Sequence, residues 1–105
     1  MLPTFIAAIH SKSKIYITFF SKEDGFNETR LCAPMDYGPK RQKNTIDKRD
    51  KFHAWDYESE DGPHTISMHA DQIVKIELSD EVFEPGEFVT WVPKWQVVRD
   101  WGIYS

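Results

Sequence analysis

Apolar and polar positions alternate through most of the chain, and the period of the alternation changes as it goes. Leu2, Phe5, Ile6 and Ile9 fall at i, i+3, i+4 and i+7 around Pro3, which predicts a short amphipathic helix with proline in its first turn. Beyond the polar connector Ser11-Lys12-Ser13-Lys14, Ile15, Ile17 and Phe19 alternate with Tyr16, Thr18 and Phe20. That period of two predicts a strand with apolar groups on both faces. Asp24-Gly25 is a turn signal, so Glu28 to Pro34 is expected to return as a second strand. Phe52–Tyr57 and His64–Met68 read as a hairpin closed by the turn Glu58–Pro63, and Ile73, Ile76 and Leu78 belong to a fifth strand. The expected core is Ile15, Ile17, Phe19, Trp55, Ile66, Met68, Ile73 and Ile76.

Two stretches break the pattern. Met35 to Lys51 has few apolar anchors and contains Gly38-Pro39, so it reads as a long exposed loop, of a length that in small domains is functional or mobile. In the tail, about residues 88–105, Phe88, Trp91, Trp95, Val98 and Trp101 recur at spacings of three and four. Pro93 is compatible with a helix only in its first turn. A helix from about Pro93 to Trp101, preceded by an extended Phe88–Trp91, satisfies both signals. Trp91, Trp95 and Trp101 are a large apolar load for one short segment and require cover. They either lie over the core or form an interface with a protein partner or a second copy.

The 105 residues suit a single domain with one modest core, and 40% hydrophobic with 14% aromatic content argues for a packed protein rather than a disordered one. Net charge is −4, which gives no long-range attraction to nucleic acid. The distribution says more than the sum. Lys40, Arg41, Lys43, Lys48, Arg49 and Lys51 oppose only Asp47 and Asp50, whereas the stretch from Asp56 to Glu87 is acidic with Lys75 as its lone Lys or Arg. The single Cys32 excludes an internal disulfide and fits a reducing compartment. No run approaches the roughly 20 apolar residues of a membrane span, and no signal-peptide pattern opens the chain. The expectation is a cytoplasmic protein without membrane contact.

Candidate chemistry is sparse. His53, His64 and His69 with Asp56 or Asp71 suggest a metal site, but their spacing matches no zinc pattern. In the expected hairpin register His64 joins His53, Trp55 and Tyr57 on one face, with Trp55 between the two histidines. No metal and no other cofactor is assigned. Cys32 has no neighbour to activate it, and the carboxylates read as a solvated rim, so no enzymatic activity is expected. Lys40, Arg41 and Lys43 have the charge to grip phosphates, and Tyr37 and Phe52 flank them with rings able to stack on bases.

The order of features from about residue 5 to residue 88 resembles the WYL domain, a regulatory and ligand-sensing module of bacterial proteins. The likeness rests on Ala8-Ile9 at the end of the first helix, the turn at Gly25, Arg30 with Pro34, and the aromatic strand from Phe52. Thr65, Ile66 and Met68, then Asp71 with Ile73, and finally Phe83, Pro85 and Phe88 complete it. The resemblance implies a small Sm-like β-barrel, here of five strands with short helices at both ends. The family's Trp-Tyr-Leu corresponds to Phe52-His53-Ala54 and its Arg-Thr-Phe-Arg run to His64-Thr65-Ile66-Ser67, which removes both arginines. Mapped this way, the ligand-binding residues are Arg30, Phe52, His53 and His64, joined by Lys40, Arg41 and Lys43 of the basic loop. The expected function is a non-enzymatic regulatory or binding module acting through protein contacts at Trp91, Trp95 and Trp101. The alternative is binding of an anionic ligand or single-stranded nucleic acid through loop 40–51.

Overall fold

The N-terminal apolar stripe becomes helix α1 (Leu2–Ser11), with Pro3 in its first turn and Phe5, Ala8 and Ile9 turned to the core. In the computed structural model, which describes residues 1–40 and 47–105, five antiparallel strands follow. They are β1 (Ser13–Ser21), β2 (Phe26–Gly38), β3 (Lys51–Asp56), β4 (His64–Met68) and β5 (Ile73–Val82). The sheet order is β4-β3-β2-β1-β5, and no pairing joins β4 to β5 among the described residues. No helix in the described residues is long and apolar enough to cross a membrane.

β2 holds the sheet together. Its first half pairs with β1 and its second half with β3, and Cys32 lies opposite both Ile15 and Asp56. Between Pro34 and Asp36 the register slips, so that Pro34 faces Ala54 but Asp36 faces His53. One extra residue in a strand reverses which side the following side chains take. Asp36 therefore leaves the face that carries Ile15, Cys32 and Ala54. Met35 to Gly38, expected as loop, is thus strand, with Met35 and Asp36 buried. Asp36, Gly38 and the flanking prolines Pro34 and Pro39 hid that from the sequence pattern.

The two faces are covered by different parts of the chain. On the inner face, Phe5 of α1 meets Phe52 edge-on, with ring centroids 5.0 Å apart. On the outer face the tail lies across β2 and β3, where Phe88 stacks on Trp55 at 5.8 Å. Trp101 contacts Phe83, Phe88 and Trp95, and its indole N–H donates to the carbonyl of Ile9 at 2.9 Å. That bond adds a second donor to a helix-end carbonyl that otherwise accepts, among the described residues, only the capping Lys12 amide, at 3.4 Å. The expected helix over 93–101 does not form. Beyond β5 the chain forms no helix other than 3₁₀ turns at Pro85–Glu87 and Gly102–Tyr104, and it bends at Trp91, Gln96 and Val97. The amides of Gln96 and Val97 bond to the Asp36 carboxylate instead of preceding carbonyls, and these tertiary bonds override the helical spacing.

Candidate functional site

Asp36 fixes the position of the tail. Its carboxylate accepts the Gln96 and Val97 N–H groups, each at 2.9 Å, and the Arg99 guanidinium at 3.2 Å. Arg99 also donates to the carbonyls of Val97 and Met35. Its guanidinium lies 4.2 Å from the Trp95 ring centre and 4.3 Å from that of Trp101. Burial lowers its pKa to about 10, partly offset by Asp36, so it is charged at neutral pH. A buried ion with five donors needs such partners. Trp95 is held further by a 2.7 Å bond from its indole N–H to the Tyr104 carbonyl.

This latch leaves a groove of about 370 Å³ on the outer face. His53, Thr65 and Ser67 form its floor, Trp91 and Trp95 a wall, and Lys40 and Lys94 its charged margin. His53 is anchored. A carbonyl only accepts, so Nε2 donates to Gly38 at 2.8 Å, and Nδ1 shares a 2.7 Å hydrogen bond with the Ser67 hydroxyl. Gly38 allows a close approach, since a Cβ there would meet the Gln96 side chain at 2.5 Å. Trp91 packs edge-on against Trp95 and remains 45% exposed. Neither Lys40 nor Lys94 forms an ion pair among the described residues.

A second hollow, about 730 Å³, opens on the inner face beyond the end of the sheet that α1 covers. Phe19, Ile66 and Met68 give it an apolar floor, and Arg30 crosses it. Arg30 binds Asp56 at 2.8 Å and Glu28 at 3.3 Å and lies over Phe19 at 5.6 Å. Burial pulls its pKa down, but Asp56 and Glu28 outweigh that and hold it above the usual arginine value. Asp56 is only 1% exposed. The arginine's charge is therefore spent inside the fold. Five carboxylates line the hollow (Glu23, Glu28, Asp56, Asp61, Asp71), against Lys22 and Arg30. An anion finds no net attraction there.

The ligand set read from the sequence is divided by the sheet. His64 pairs with Asp56 and His53 with Ser67, so the two histidines point to opposite faces, contrary to the expected register. Phe52 is buried beneath Phe5. Lys40 and His53 lie at the outer groove, Arg30 and His64 at the inner hollow. Arg41 and Lys43 lie outside the described residues. Of the basic segment, Arg49 binds Asp47, whose carboxyl its hydrogen bonds hold well below the usual range, and His69 meets Asp47 at 2.9 Å. Of the tail tryptophans, Trp101 is 3% exposed and belongs to the core, Trp95 is half-buried, and Trp91 faces solvent. Lys94 was not singled out in the sequence. Its only signal is a cation between two tryptophans. No family model, curated protein or solved structure matches the chain.

Proposed function

We propose that this chain is a non-enzymatic binding module that docks a partner protein on the outer face formed by Trp91, Lys40 and Lys94. One observation carries the reading: the fold consumes Trp95 and Trp101 but leaves Trp91 half exposed beside two lysines without ion partners among the described residues. An exposed indole held on a rigid wall is the usual centre of a protein contact, and flanking lysines select an acidic partner. The N-terminal helix and five antiparallel strands, bent at their bulges, support the finer reading of an Sm-like barrel of the WYL type. The alternative use of the same face is an anionic small ligand or single-stranded nucleic acid. Lys40 opens the basic segment, and the groove falls in the size range of small-molecule sites.

Tryptophan fluorescence separates the two. An acidic peptide carrying one aromatic residue is titrated into the protein, and an oligonucleotide of equal charge is titrated in parallel. The peptide is expected to bind more tightly, and Trp91→Ala to weaken it by about 30-fold, the loss typical of a central aromatic anchor. Tighter oligonucleotide binding with a steep salt dependence supports the alternative. Binding of neither, or peptide binding unaffected by Trp91→Ala, overturns the proposal.

A further inference from the structure

We propose that the partner on the Trp91 face is a second copy of this chain, which receives Trp91 in the acidic hollow on the other face of its own sheet. This rests on reading the Trp91 face as protein-binding. The two surfaces complement each other in shape and in charge. One presents a half-exposed indole flanked by Lys40 and Lys94. The other is an apolar-floored hollow of about 730 Å³. Glu23, Asp61 and Asp71 in its lining have no ion partner among the described residues. An indole that leaves water for such a surface, with its flanking cations meeting carboxylates, combines the two terms that stabilise and orient protein contacts.

The alternative of two Trp91 faces meeting about a two-fold axis is disfavoured. It would set Lys40 and Lys94 against the same residues of the other copy, and like charges brought together in an interface cost free energy. The placement of the surfaces favours a head-to-tail contact. Strand pairing puts Ile66 and His64 on the inner face of β4 and Thr65 and Ser67 on its outer face, so the hollow and the groove lie on opposite sides of β3 and β4. One molecule can give and receive at the same time. A contact of this kind builds a ring or an open chain and does not stop at a symmetric pair.

Sedimentation of the full chain tests this with two variants, each damaging one surface. Trp91→Ala with Lys94→Ala removes the inserted side, and Asp61→Lys with Asp71→Lys blocks the receiving side. All four positions are exposed, and Lys94→Glu alone replaces the first variant if its melting temperature falls. The wild-type chain is expected to associate beyond a dimer at low salt, and to dissociate as salt rises. Each variant alone is expected to be monomeric. Their mixture is expected to form a 1:1 complex and nothing larger, because one good surface remains on each. Self-association of the Asp61→Lys, Asp71→Lys variant on its own points to a symmetric Trp91 contact, and a mixture that stays monomeric while the wild type associates excludes the head-to-tail one; either overturns the inference. A monomeric wild type overturns it as well; if Trp91 still governs acidic-peptide binding in that protein, the docking face stands and only the identity of its partner falls.

Discussion

Asp36 and Arg99, 63 positions apart in sequence, meet at 3.2 Å beneath the aromatic tail. The pair is where the bulge in β2 and the path of the C-terminal segment depend on each other. The slip at Met35 turns the Asp36 carboxylate outward, and the tail supplies a guanidinium and two backbone amides to it. Trp95 and Trp101, which meet edge-on with ring centroids 5.4 Å apart, both lie against the guanidinium. Trp91, five residues before Gln96, stays exposed.

Asp36→Ala leaves Arg99 charged and buried with no counter-ion and removes the acceptor for Gln96 and Val97. Breaking a buried pair from one side costs about 3–5 kcal/mol, so a large drop in the urea midpoint is expected. Limited proteolysis should then cut first within residues 90–100. Arg99→Lys should rescue little, because an ammonium cannot fill the same fork of donors or offer a planar group to the indoles. A melting temperature within a degree or two of wild type for Asp36→Ala would remove the latch from the account.

Phe52→Ala is expected to cost about 3–5 kcal/mol, since its ring is packed between Phe5 and Tyr37 and leaves a cavity on removal. Val98→Ala, at a side chain 87% exposed, should change stability by less than about 0.5 kcal/mol. Equilibrium unfolding of the two variants checks both figures together. Equal losses would contradict the burial of Phe52 and the exposure of Val98.

That contrast marks how far the sequence carried the fold. α1, β4 and the hairpin joining β3 to β4 were legible because their apolar periods are unambiguous and their turns carry Gly and Pro. β5 was legible only in its first half. The facing of β3 was not legible: Phe52, Ala54 and Asp56 alternate with His53, Trp55 and Tyr57, and the bulkier aromatic set lies on the outer side. Ile15, Ile17, Met68, Ile73 and Ile76 are buried as expected, whereas Phe19, Trp55 and Ile66 are only partly so. The spacing of the tail tryptophans mimics a helix, and only the carboxylate of Asp36, far away in sequence, reveals why none forms. At the candidate site, Lys40, His53, Trp91 and Trp95 converge on one groove. Arg30, expected at a ligand site, forms ion pairs with Asp56 and Glu28 at the inner hollow.

Cys32 offers a probe of opening. Burial first, and Asp56 and Glu58 next, push its thiol well above the ordinary value of 9.0. A thiol pKa raised by folding means that the native state holds the proton more tightly. Its stabilisation is full below about pH 9 and declines as pH rises beyond it. Native protein at pH 8 should therefore resist thiol reagents until it unfolds, and Cys32→Ala should lose less stability than wild type between pH 9 and 10. Rapid labelling of the folded protein would contradict the burial of this position.

The docking face is tested most directly by nuclear magnetic resonance of the four indole N–H groups during titration with the acidic peptide. Trp101 bonds to Ile9 and Trp95 to Tyr104, whereas Trp91 stands at the solvent edge of the groove. The account predicts that the Trp91 resonance shifts progressively and saturably, that Trp95 follows weakly, and that Trp55 and Trp101 hold still. A saturable shift confined to Trp55 or Trp101, or none at any of the four, would contradict it.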